Sequence, residues 1–173
     1  GDVSNLQPTT MLIANADRLT EIECHSPNLI NTDLSECKLL QKIDLSDCTA
    51  LGTGIGAQPT LNITSCRYLR VCNCLNTKLT AIYTMQSGGN LEEIYYPESI
   101  QQVVLTNQTY LKRVGLPWQS NSIYCKNLAN VQIENCKAIE TIHYPFAEGD
   151  GLEFDTLRYT QNLTVKNSLD GLT

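Results

Sequence analysis

The chain has 173 residues, 42% hydrophobic and 17% charged, with a net charge of −6 and a pI of about 4.8. That composition supplies a sizeable core and excludes a disordered tail. The acidic balance excludes nucleic acid, which needs a basic stripe, and an anionic membrane surface as partners. No apolar run approaches the ~20 residues that span a bilayer, and the opening Gly1-Asp2-Val3-Ser4-Asn5-Leu6 has neither the basic nor the apolar region of a signal peptide.

Read along the chain, one unit recurs. It consists of Leu or Ile, two variable residues, Ile or Val, one variable residue, another core residue, two variable residues and often Cys. Copies open at Leu19, Leu29, Leu40, Leu69, Leu79, Leu91, Ile100, Leu111, Leu128 and Ile139. The clearest are Leu40-Gln41-Lys42-Ile43-Asp44-Leu45-Ser46-Asp47-Cys48 and Leu128-Ala129-Asn130-Val131-Gln132-Ile133-Glu134-Asn135-Cys136. Two long intervals hide degenerate copies at Leu61-Asn62-Ile63 and Ile123-Tyr124-Cys125. Each copy holds an alternating triplet, which predicts a short strand with alternate residues on one face. Gly52–Pro59 and residues 146–151 interrupt the rhythm and are expected as irregular loops. The glycine-rich stretch has no following Gly-Lys-Ser/Thr and so is no phosphate cradle.

An antiparallel sandwich would also show regular short strands, but it would need hairpin turns between them. Asp-Gly occurs only at Asp150-Gly151 and Asp170-Gly171. A constant register fits a chain that stacks on itself. The expected fold is all-β: a leucine-rich-repeat-like β-solenoid with coils of about 21 residues, two short strands per coil and few or no helices. Its core is expected from Leu19, Ile22, Leu40, Ile43, Leu45, Leu91, Ile94, Leu111, Val114, Leu128, Val131, Ile133, Ile139 and Ile142. Residues 1–173 read as a single repeat domain. Because both ends remain leucine-bearing without an evident cap, the chain is expected to be a piece of a longer protein.

The Leu-x-x-Ile-x-Leu-x-x-Cys copies resemble the leucine-rich repeat, from about Leu12 to Phe146, with a half-length period and no helix pattern between strands. Segments such as Leu40–Leu51, Gly89–Pro97 and Val131–Cys136 also look like repeat regions of virion proteins from phages of gut bacteria. They are similar as well to BspA-like surface proteins of such bacteria. The first resemblance implies a non-enzymatic structural or binding segment of a virion, in the tail, folded in the host cytoplasm. The second implies a cell-surface adhesin. A carbohydrate-active β-helix enzyme is a third reading, but it would need acids or cations clustered on one face of several coils, and the pattern has none.

Eight cysteines, Cys24, Cys37, Cys48, Cys66, Cys72, Cys74, Cys125 and Cys136, allow disulfides, zinc or plain packing. Cys72-Asn73-Cys74 lacks the spacing of a zinc knuckle. Cys37 and Cys48, like Cys125 and Cys136, occupy one position of consecutive half-coils, on opposite sides and too far apart to bridge. Reduced thiols suit a cytosolic folding compartment and favour the virion over the adhesin. Neither His25 nor His143 stands in a nucleophile–base–orienter pattern. Asp44 and Asp47 flank a strand but lack the further oxygens calcium requires. Neither catalytic residues, nor a metal site, nor a cofactor is expected. Asn62, Asn107 and Asn162 open glycosylation triplets that chance explains in an Asn- and Thr-rich chain.

The aromatic residues carry the functional expectation. Ile94-Tyr95-Tyr96-Pro97, Val114-Gly115-Leu116-Pro117-Trp118 and Ile142-His143-Tyr144-Pro145-Phe146 share one register, each with a strand-ending proline. Packing of the rings on neighbouring coils is the plain reading. The functional one is an exposed aromatic edge, with Tyr95, Trp118, His143 and Phe146 binding a protein partner or a glycan.

Overall fold

A computed structural model describes residues 9–13, 16–54, 57–116, 128–143, 162–166 and 168. The described residues contain thirteen strands and no helix: β1 (Thr9–Leu12), β2 (Glu21–Glu23), β3 (Leu29–Asp33), β4 (Lys42–Asp44), β5 (Thr60–Asn62), β6 (Val71–Asn73), β7 (Ala81–Tyr83), β8 (Glu93–Tyr95), β9 (Gln102–Thr106), β10 (Arg113–Gly115), β11 (Asn130–Glu134), β12 (Thr141–His143) and β13 (Asn162–Lys166). The fold is all-β and every strand pair is parallel.

The chain visits two sheets alternately. One has the order β12-β10-β8-β6-β4-β2 and the other β13-β11-β9-β7-β5, with β1 and β3 forming a further pair. Parallel neighbours cannot be joined by a hairpin; they need a crossover, which is a helix in most proteins. Here a strand of the other sheet serves instead, so β4 and β6 are joined through β5. The step between paired strands is 21 residues from Glu21 to Lys42, 22 from Val71 to Glu93 and 21 from Thr60 to Ala81.

The alternating triplets explain the packing. In the six-stranded sheet the middle residues form one in-register inward row: Ile22, Ile43, Cys72, Ile94, Val114 and Ile142. All six are buried. In the other sheet Leu61 and Ile82 are paired, as are Val103 with Val131 and Leu105 with Ile133, and all face the same core. Of the core residues expected from the sequence, Leu19 alone is only partly buried.

The turns after the strands follow a common plan. Cys37, Cys48, Cys66, Gln108 and Cys136 each open a tight turn, their carbonyls accepting from the amides of Leu40, Leu51, Leu69, Leu111 and Ile139. For Cys48, its amide donates to the Leu45 carbonyl (3.2 Å) and its carbonyl accepts from the Leu51 amide (2.9 Å). Its thiol donates to the Cys24 carbonyl at 3.0 Å. Thr77 and Ser168 occupy the same place elsewhere, donating to the carbonyls of Cys74 (2.8 Å) and Lys166 (2.8 Å). The position holds a buried side chain, and at Cys48, Thr77, Gln108, Cys136 and Ser168 that side chain donates to a backbone carbonyl, a role cysteine fills as a small buried donor. Beside it stand Asp47, Asn76, Asn107 and Asn135, all with φ between 54° and 63°. Short Asx side chains tolerate this left-handed conformation. They also link successive turns: Asn76 Nδ2 donates to Asp47 Oδ1 (2.8 Å), and Asn135 Nδ2 to Asn107 Oδ1 (3.0 Å).

The 29-residue step from Lys42 to Val71 has a local cause. The Gly52 amide donates to the Ile30 carbonyl (3.1 Å), while the Gln58 amide donates to the side chain of Asn31, the next residue of β3. Gly52 and Gln58 are thus both anchored to β3. Gly52 is fixed by the stack itself: its φ is 96°, and a Cβ there would lie 2.6 Å from the Lys78 carbonyl oxygen.

Candidate interaction surface

Of the expected aromatic edge, Tyr95 and the backbone of His143 fall on the six-stranded sheet. The last residues of its strands form one row, Glu23, Asp44, Asn73, Tyr95, Gly115 and His143. Tyr95 and the backbone of His143 therefore lie in the same row, with Gly115 between them. Trp118 and Phe146 lie outside the described residues, as does Cys125.

Tyr95 is half-buried and held. Its hydroxyl donates to Glu93 Oε2 at 2.7 Å, and Arg113 Nη1 donates to Glu93 Oε1 at 3.0 Å. Burial, then the Glu93 carboxylate, pushes the phenol up to about 12. A Cβ on Gly115 would stand 2.5 Å from Tyr95 Cδ1, so the ring lies across the glycine of the next strand. A glycine in a strand marks such close approaches, and Val114-Gly115-Leu116 carried that signal in the sequence. Tyr96, the next residue, faces inward and is fully buried.

Toward the other end of the row, Ser46, His25 and Glu23 approach the outline of a hydrolytic triad. Ser46 Oγ is 3.3 Å from His25 Nδ1, and His25 Nε2 is 3.3 Å from Glu23 Oε1. The wiring is wrong for a nucleophile. Ser46 Oγ donates to Asp44 Oδ1 (2.7 Å), and His25 Nδ1 faces the Ser46 carbonyl (2.8 Å), which can only accept. The ring nitrogen nearest the hydroxyl thus carries a proton and cannot act as its base. Asp44 Oδ1 also accepts from the Ser46 amide (3.0 Å), and Asp47 Oδ1 accepts from Asn76.

The seven described cysteines form no disulfides with one another, and all but Cys24 are buried. Cys72 and Cys74 face inward with their sulfurs 3.8 Å apart. Desolvation pushes the Cys48 thiol up to about 12 and the Cys66 thiol up to about 11. Such thiols stay protonated and so are poor nucleophiles. Among the described residues no group of three His, Cys, Asp or Glu is placed to hold a metal.

A second surface was not expected from the strand ends. Leu39, Tyr68 and Tyr110 are exposed large hydrophobic residues. Each is the second residue after the buried residue that opens a turn, in Cys37-Lys38-Leu39-Leu40, Cys66-Arg67-Tyr68-Leu69 and Gln108-Thr109-Tyr110-Leu111. An apolar residue directly before the core leucine was the available signal, because tight turns usually carry polar tips. Leu39 and Tyr68 border a concavity of about 460 Å³, with Lys38, Thr64, Arg67 and Met85 also on its walls.

No protein-family model matches the chain, and no curated protein and no solved structure matches it.

Proposed function

We propose that the chain is a segment of a leucine-rich-repeat-like solenoid that serves, without catalysis, as a structural and binding part of a phage tail. Alternation of strands between two parallel sheets supports the solenoid, because each circuit of ~21 residues adds one strand to each sheet and repeats the same outward positions. A surface of that kind offers a partner long rows of equivalent side chains. The miswired Ser46–His25–Glu23 group supports the non-catalytic reading.

The observation that carries the virion assignment is the set of unpaired thiols in the core. Six buried cysteines that fill hydrogen-bonding turn positions and inward strand rows suit a protein folded in a reducing cytosol. A tail protein folds there, whereas an exported adhesin does not. An antibody against the chain is expected to label the tails of purified phage particles in electron micrographs. Labelling confined to the bacterial cell surface would replace this reading with the adhesin.

A further inference from the structure

We propose that the concavity bordered by Leu39 and Tyr68 is a binding site for a carboxylate-bearing saccharide. This goes beyond the virion reading, since it concerns a different surface and holds for either location of the chain.

Shape comes first. At about 460 Å³ the concavity is within the ~300–1,000 Å³ range of small-ligand sites. Tyr68 and Leu39 expose 44% and 39% of their surface there, which leaves an aromatic face and an aliphatic tip available for the C–H face of a sugar ring. Tyr110 continues the same turn position further along the stack. The strands β5, β7 and β9 are consecutive neighbours in their sheet. Tyr68 follows β5 and Tyr110 follows β9, so their turns stand two strand spacings apart, ~10 Å. The turn after β7 has Asn90 before its core leucine instead of a ring. The ridge is therefore notched, and an extended chain of sugars could cross it.

Charge selects the class of sugar. The protein carries a net charge of −6, yet Lys38 and Arg67 line this concavity and no acid does. Lys38 has only a 3.9 Å contact with Glu36 between two exposed side chains, a pairing of little worth. Arg67 has no ion-pair partner among the described residues. A guanidinium beside an open site matches a carboxylate with two parallel hydrogen bonds. Thr64 Oγ1 donates to Asn62 Oδ1 (2.7 Å), which leaves its lone pairs to accept from a sugar hydroxyl. An acidic peptide would offer Arg67 a carboxylate but, as a run of acidic side chains, no ring with an apolar C–H face for Tyr68.

The test is titration of the full chain with oligogalacturonate and with sialyllactose, followed by calorimetry and amide shifts. Binding of at least one probe is expected, centred on residues 64–68 and weakening with salt. Arg67→Ala and Tyr68→Ala should each reduce affinity about tenfold, the scale of a lost charge-assisted hydrogen bond or stacked face. Tyr68→Phe should retain it. These side chains are exposed, so melting temperatures should not move. Absence of binding to both probes overturns the proposal. So does equal affinity for methyl-esterified oligogalacturonate. A poly-glutamate peptide that binds as tightly and responds to Arg67→Ala but not to Tyr68→Ala would make this an acidic-peptide site and also overturn it.

Discussion

Two tyrosines in this protein sit on outward-facing positions and are held in opposite ways. Tyr95 is tied down: its hydroxyl is committed to Glu93, its ring covers Gly115, and Arg113 closes the group. Tyr68 stands at the tip of a turn with its ring exposed. The difference lies in what surrounds each position. A strand's outer row has in-register neighbours on both sides, so long side chains find partners across the ladder. A turn tip has none of that lateral support. Recurrence at one register therefore does not by itself make an aromatic residue available to a partner. The outer row of the six-stranded sheet is largely an internal network, whereas the turn residues Leu39, Tyr68 and Tyr110, and Tyr83 on β7 of the other sheet, leave apolar surface exposed.

The strongest way to break this comparison is to invert burial. Ile94 lies inward next to Tyr95 and is fully buried. Ile94→Asp puts an unpaired charge in the core row and should cost at least about 4 kcal/mol, enough to unfold much of the sheet. Tyr68→Asp should leave the melting temperature nearly where it was. Circular dichroism melts of the two variants decide it; similar losses for both would mean that Tyr68 is a packing residue.

A smaller effect tests the contact under Tyr95. Gly115→Ala forces the ring aside and should cost about 1–3 kcal/mol, as overpacking does. The double variant with Tyr95→Ala should recover most of that loss, because the added methyl then meets no ring. Urea unfolding of the four proteins in the cycle measures the coupling. Additive losses would show that the ring does not lie across the glycine in solution.

Beneath the turns the expected effect is smaller again. Cys136 donates its S–H toward the Leu105 carbonyl (3.6 Å) and the Glu134 carbonyl (3.4 Å). Cys136→Ser should change stability by less than about 1 kcal/mol, since Ser168 and Thr77 already fill this position elsewhere. Cys136→Val removes the donor and should be the worse of the two despite its apolar side chain. The reverse order would show that packing, not hydrogen bonding, selects cysteine here.

Much of this arrangement was legible in the sequence, for a physical reason. Every inward position has the same requirement, an apolar side chain away from water, so Ile22, Ile43, Ile94, Val114 and Ile142 repeat visibly. The turn residues repeat as well, because a left-handed corner needs Asn or Asp. What was not legible depends on partners far along the chain. The Gly52–Pro59 stretch reads as a loop, but its place between the neighbours of Ile30 and Asn31 is set by two hydrogen bonds across the stack. Glu93 as the partner of Tyr95 was within reach, being two residues away on the same face. Gly115 within its strand signalled a close approach, but not that Tyr95, twenty residues away, makes it. The Leu39–Tyr68–Tyr110 ridge escaped because the repeat pattern assigns turn tips no role, so their apolar character stood out only once their exposure was known.

The smallest expected effect is the response to pH at the start of the outer row. The Ser46 carbonyl first, and the Glu23 carboxylate second, hold the His25 pKa above its ordinary value of 6.5. Folding therefore favours the imidazolium. Its contribution is whole below pH 6.5, the unfolded value, and fades as the pH rises through the folded one. Carboxylates act in the opposite direction. Asp33 is held down by the Ser35 amide and hydroxyl. Glu92 is held down by Arg70, whose Nε lies 2.9 Å from Oε1. For Asp44, burial pushes upward but the Ser46 hydroxyl and amide and Asn73 outweigh it, leaving the group below its ordinary 3.8. These contributions are present above the unfolded values of 3.8 for Asp and 4.5 for Glu, and are lost as the pH falls through the folded ones. Stability should therefore be greatest between about pH 4.5 and pH 6.5, with a shallow decline on the alkaline side. His25 is exposed, so that decline is small and should weaken further in salt. His25→Gln should flatten the alkaline limb and leave the acid limb in place. Melting temperatures of both proteins from about pH 4 to pH 8 test it. An alkaline decline that survives the substitution would mean that another group titrates there.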